Sequence, residues 1–218
     1  MLSFIEFLKL NEMSPPMLEP RELPHFMTKM PFYSNDTITD NYIVLHDQKI
    51  SARGNIIIAI KKDKSSAFIG KTTKRPTDKK LGVYIYGRVE FKTPFDVHDK
   101  IIPTTDGKIL QIGGVEIIKE LTRQGYGYLL YFNLIKAGYS IICDNTQYFG
   151  GQTLWKKIAK ESKFNNYKVY VLDNGILRKD ANGKLVYYDG SNIEDSDLWS
   201  NDYKKYHTLF LATTRDLS

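Results

Sequence analysis

From Val115 to Asn145 the chain reads VEIIKELTRQGYGYLLYFNLIKAGYSIICDN. A β-branched run leads into Gly125-Tyr126-Gly127, a helical pattern continues through Ala137 and stops at Gly138, and Tyr139–Cys143 is a short apolar run. The order is strand, tight turn, helix, strand, and a short strand this apolar belongs inside a sheet. First-turn amides of a helix lack intrahelical acceptors, and the helix dipole favours negative charge there, so such a turn can seat a pyrophosphate. Gly125 and Gly127 let the backbone approach phosphates without a Cβ in the way, and Arg123 supplies a positive charge. No third glycine and no acid at the ribose distance follow, which excludes the dinucleotide fingerprint. The Gly-Lys-Ser/Thr ending of an NTPase phosphate loop is also missing.

The flanking sequence sets this unit in a mixed α/β fold. Runs at Tyr42–His46, Asn55–Ile60, Ala67–Ile69 and Val83–Phe91 predict strands, with Lys61–Ser66 as a turn. Ile109–Ile118 predicts another strand, where Gly113-Gly114 suggests a bulge or a close backbone approach. Gly150–Glu161 reads as a helix, Tyr167–Leu172 and Thr208–Thr213 as strands, and Asp180–Gly183 as a hairpin turn between Ile176–Arg178 and Lys184–Tyr188. The expected architecture is a central mixed sheet with helices crossing it. Residues 1–12 predict an amphipathic helix, and 13–40 carry five prolines, which predicts an arm without regular structure. The domain itself is expected over 41–218.

Composition narrows the chemistry. A single cysteine, Cys143, excludes an internal disulfide framework and a Cys-rich zinc site, and its apolar setting predicts a small core residue. His25, His46, His98 and His207 show no metal-ligand spacing, so no metal site is expected. No run of eighteen apolar residues predicts a membrane span. Thirty-one Lys and Arg against 25 Asp and Glu give a formal charge of +6, which favours anionic partners. The Lys71–Lys80 stretch predicts a basic loop, with Lys71, Lys74, Arg75, Lys79 and Lys80 as candidate contacts to nucleic-acid phosphates. Residues 189–203 are acidic without a basic residue and predict a solvated segment.

The segment Thr122-Arg123-Gln124-Gly125-Tyr126-Gly127 resembles the acetyl-CoA-binding motif of the GNAT acyltransferase superfamily, Gln/Arg-x-x-Gly-x-Gly/Ala, which opens the helix after the fourth strand. Both glycines match; Thr122 departs from the first position. Residues 109–172, with YSIICDN and TQYFGGQTLWKKIAK, are similar to GNAT-like proteins of large tailed bacteriophages. The resemblance implies a GNAT-like fold and an acyl-CoA-dependent N-acyltransferase moving acetyl from acetyl-CoA to an amine of a host macromolecule or small molecule. It implies a cofactor site at Arg123, Gln124, Gly125, Tyr126, Gly127 and Tyr128, with Val115 and Ile117 beside the pantetheine arm and Asn145 following the fifth strand. Trp155 stands where the family's fourth helix usually carries an acidic Tyr; its indole N–H is no general acid, and the core is its expected place. Tyr148 is the substitute candidate, with Asp144 and Glu116 as base or substrate anchor.

Two alternatives follow from the same residues. One is a GNAT-like phage protein that keeps the fold without transfer and is packaged in the virion or binds a host protein. The other is a GNAT-like enzyme that modifies DNA bases. The leader MLSFIEFLKLNE looks like a capsid-targeting peptide, and Leu10-Asn11-Glu12 fits a prohead-protease cut. The implied places of action are the host cytoplasm and the virion head.

Overall fold

The computed structural model describes residues 26–27, 30–49, 55–92, 108–144, 149–199 and 208–217. The leader helix expected over 1–12 and most of the proline-rich segment lie outside them. The fold is mixed α/β, with mostly antiparallel strands and a few helices. Compactness divides the chain into two units, one holding 24–92 and 112–137, the other holding 1–23, 93–111 and 138–218.

In the first unit, β3 (Tyr42–Lys49), β4 (Asn55–Lys61), β5 (Ser66–Lys74) and β6 (Leu81–Lys92) form a consecutive antiparallel ladder. β6 neighbours β7 (Ile109–Ile118), whose residues from Ile112 belong to this unit. β4 is NIIIAIK, and Ile56 to Ile60 are all buried, as expected of a strand covered on both faces. Ile57 and Ala59 cluster with Phe68, Val83, Ile85 and Ile118, while Ile56, Ile58 and Ile60 turn to the opposite face. Helix α2 (Tyr126–Lys136) packs against β3, β5 and β6.

Three sequence expectations need correction here. The segment 13–40 is not irregular to its end: Phe26–Met27 forms β1, Phe32–Ser34 forms β2, and Asn35–Asn41 forms helix α1. No proline follows Pro31 in this stretch, Ser34 Oγ accepts the Thr37 amide at 3.2 Å as the N-cap, and Ile38 enters the core. The basic stretch Lys71–Lys80 is not one loop. Lys71 to Lys74 continue β5, pairing with Tyr84 to Leu81, because the β-branched Thr72 and Thr73 carry the strand on. Only the part beyond them turns, closed by the Arg75 amide donating to the Lys80 carbonyl at 2.8 Å. Finally, of the two alternatives at Gly113-Gly114, a bulge or a close backbone approach, the close approach is absent. A Cβ on Gly113 would make ordinary contacts and one on Gly114 would meet nothing within 4 Å.

The second unit pairs β8 (Ser140–Ile142) with β11 (Thr208–Thr213), β11 with β9 (Lys168–Asp173), and β9 with β10 (Ile176–Leu177), all antiparallel. β8 also runs parallel to the start of β7, from Ile109↔Ser140 to Gln111↔Ile142. A parallel pair needs a crossover, and the chain between them carries α2. Helix α3 (Phe149–Ser162) lies on β9 and β11. Its Trp155, 1% exposed, stacks on Phe210 at 5.7 Å, and Tyr188 and Trp199 close around the same ring. Trp155 is therefore core, as its apolar helix face predicts. Cys143 is buried too, its Sγ accepting the Phe210 amide at 3.1 Å. The Asp180–Gly183 turn forms as expected, with Gly183 at φ 78° and its amide on the Asp180 carbonyl at 3.0 Å. The acidic stretch is exposed at Glu194, Asp195 and Asp197, as its composition predicts, while Asp189 pairs with Lys163 at 3.0 Å and Asp195, opening helix α4 (Asp195–Leu198), pairs with Lys156 at 2.5 Å.

Candidate functional site

The glycine turn joins β7 to α2 within the first unit. After Ile118 the chain makes a 3₁₀ turn, Lys119–Leu121, where the Thr122 amide and hydroxyl both donate to the Lys119 carbonyl, at 3.2 and 2.9 Å. Gln124 Nε2 reaches back to the Glu120 carbonyl at 3.1 Å. Two residues of the turn are left-handed, Arg123 at φ 61° and Gly125 at φ 82°. Glycine adopts that region freely, whereas arginine adopts it at a cost, so the Arg123 backbone is held by its surroundings.

Gly125 is the N-cap of α2, and the Leu129 amide donates to its carbonyl at 3.0 Å. With no side chain, it supplies no capping oxygen to the first turn, where Ser, Thr, Asp or Asn ordinarily would. No acid stands in that turn, and Arg123 is exposed just before it. The dipole and this cation together favour an anion at the helix start. Tyr126 is buried by contrast, and Tyr128 stacks on Phe132 at 5.7 Å. The Tyr126 side chain thus anchors the helix, and Tyr126 and Gly127 offer a ligand only backbone, while Tyr128 is half-buried and stacks along the helix.

Sequence reasoning missed two residues of β6. Tyr86 meets Tyr126 edge-to-face at 5.1 Å, and burial pushes its hydroxyl above the ordinary tyrosine pKa, with Tyr126 adding to the effect. Arg88 Nε donates to Glu116 Oε2 at 2.8 Å. Burial opposes the Arg88 charge, yet the Glu116 hydrogen bond and the charges of Glu116 and Glu90 hold its pKa above the ordinary arginine value. The signal lay in the alternation of β6: Val83, Ile85 and Val89 are buried, while Tyr84, Tyr86, Arg88 and Glu90 are not. Tyr86 also falls at a register shift, since Ile69 pairs with Gly87 and Gly70 with Ile85, and such bulges re-aim side chains.

The structure brings Arg123, Gln124, Gly125, Tyr126, Gly127 and Tyr128 together at one turn, with Val115, Glu116 and Ile117 on the strand that leads into it. Val115 and Ile117 are half-buried. Asp144 belongs to the other unit, just after β8, and is half-buried. Asn145 and Tyr148 lie outside the described residues. Among the described residues no group of three or more His, Cys, Asp or Glu is placed to hold a metal ion, and no helix is long and apolar enough to cross a membrane.

The donor set fits a phosphorylated ligand with an extended arm. It offers an uncapped helix start, a cation beside it, and a strand whose middle, at Gly114, has open space where a side chain would stand. Compared with family models, with curated proteins and with solved structures, the chain matches none.

Proposed function

We propose that the chain is an acyl-CoA-dependent N-acyltransferase with a GNAT-like fold. The observation that carries this reading is the glycine turn: left-handed Gly125 caps α2 without a side-chain oxygen, directly after β7. The parallel β7–β8 pair joined through that helix supports it, as does its ladder of only three residue pairs. In this reading the turn backbone from Arg123 to Tyr128 holds the pyrophosphate, and the β7 edge at Val115 and Ile117 pairs with the pantetheine arm. Acetyl-CoA, when bound, supplies an activated acyl group as a thioester. The chain's own part is to orient that arm and to remove a proton from the acceptor amine, for which Glu116 and Asp144 are the candidates.

One observation favours a second reading, binding without transfer. Trp155 is sealed in the core against Phe210, so nothing at that helix position can deliver a proton. Tyr148 then becomes the residue on which transfer depends.

Thermal unfolding with and without acetyl-CoA, beside Gly125→Glu, tests the proposal. At a hundredfold excess over Kd, one-site binding adds about 2.7 kcal/mol, roughly 5–10 °C for a chain of this size. The expected result is a shift of that order that disappears in a folded Gly125→Glu variant. No shift at millimolar acetyl-CoA overturns the reading.

A further inference from the structure

A strand has two edges, and those of β7 are used differently along its length. β6 holds one edge: Gly87 lies against the Glu116 carbonyl and the Ile117 side chain, and Arg88 reaches Glu116. Successive backbone carbonyls of a strand point to opposite edges, so with Glu116 turned to β6, Ile117 turns to the other. On that other edge β1 pairs in parallel, Phe26 with Ile117 and Met27 with Ile118. β8 pairs with β7 only up to Gln111. Between Ile112 and Glu116 no strand among the described residues pairs on this edge.

We propose that β1 is a displaceable strap, a piece of the chain's own N-terminal segment that closes the free edge of β7 next to the glycine turn and must leave before an extended ligand can pair along the strand past Glu116. The inference rests on the acyl-CoA reading of that edge. β1 contributes two residue pairs in the weaker, parallel arrangement, against three where β8 pairs with β7, so the strap is the shorter of these two ladders on the strand. Its backbone satisfies the same β7 groups that the amides of an extended arm would use, so strap and arm exclude one another at Ile117. A chain in which the strap is closed nine-tenths of the time binds about tenfold more weakly than one without it.

The test uses the full chain, wild type and a variant with Phe26→Pro and Met27→Pro together, which removes both strap amides. Acetyl-CoA is the probe, and amide hydrogen exchange and affinity are read. In the variant, exchange at Ile117 is expected to quicken while β5–β6 amides keep their protection, and acetyl-CoA is expected to bind about tenfold more tightly. In the wild type, which needs no variant to fold, bound acetyl-CoA is expected to speed exchange at Met27, whose amide faces Ile117 in the parallel register. Equal affinity in both proteins, or a Met27 amide that stays protected when acetyl-CoA binds, overturns the strap alone. Binding to neither protein overturns the acyl-CoA reading and the strap with it.

Discussion

Arg88 and Glu116, twenty-eight residues apart in sequence, meet at 2.8 Å where β6 lies beside β7. The contact fixes the carboxylate on the strand that leads into the glycine turn. Both side chains remain partly in water, at 41% and 31% exposure, so screening leaves the pair worth less than about 1 kcal/mol. Glu116→Gln should therefore lower stability in urea by no more than that and leave the acetyl-CoA thermal shift intact. If Glu116 takes the acceptor proton, turnover falls at least about tenfold in the same variant, a barrier change of about 1.4 kcal/mol. Unchanged turnover reduces Glu116 to a strand contact.

Arg123 separates backbone strain from charge. Its φ of 61° costs a non-glycine residue roughly 1–2 kcal/mol, partly offset by the lower entropy of arginine in the unfolded chain. Arg123→Gly should leave stability unchanged or raise it by up to about 1 kcal/mol. It should also shrink the acetyl-CoA shift, because a cation beside the helix start is gone. A variant that is destabilised while its shift persists would mean that the side chain, not the turn geometry, is the structural element.

Much of the sheet was legible because its signals are local. β7 occupies Ile109–Ile118, the span its β-branched pattern predicts, and the Asp180–Gly183 turn carries the left-handed glycine its sequence requires. Gly138, at φ 87°, stops α2 as a C-terminal glycine should. What was not legible is non-local. Nothing around Phe26 announces a strand; it becomes one by pairing with Ile117, ninety-one positions on. The exposed face of β6 was readable as a face, but that Tyr86 meets Tyr126 and Arg88 meets Glu116 depends on the register and on the shift at Ile69/Gly70. The close approach suggested by Gly113-Gly114 failed for the opposite reason: glycine pairs are common where backbones approach, yet a Cβ on Gly113 would make only ordinary contacts and Gly114 borders open space.

Trp155 is expected to answer to mutation as a core residue. Trp155→Ala empties a site 1% exposed and stacked on Phe210, and should cost about 3–5 kcal/mol in urea unfolding. Any activity lost with it then reports unfolding. Trp155→Tyr, which restores the residue type of the resembling family, should stay folded and gain no transfer activity, because a hydroxyl placed there is sealed among Tyr188, Trp199 and Phe210. A gain in turnover would show that the position reaches the acyl acceptor.

Asp173 gives the second unit an acid-sensitive clamp. Burial alone would raise its pKa, but Arg178 Nε at 2.6 Å, Arg178 Nη2 at 2.8 Å and the Thr208 hydroxyl at 2.8 Å all donate to the carboxylate, and its pKa lies below the ordinary aspartate value. A carboxyl with a lowered folded pKa binds fewer protons when folded than when unfolded. Its contribution is thus complete above the unfolded value, about 3.9, and fades as pH falls from there through the folded value. The clamp ties the end of β9 to the start of β11, since Thr208 also pairs with Asp173 in the ladder. Wild-type melting temperature should therefore drop steeply below about pH 4, and Asp173→Asn should be less stable at neutral pH with a shallower acid slope. Parallel slopes for the two proteins would place the acid sensitivity in other carboxylates.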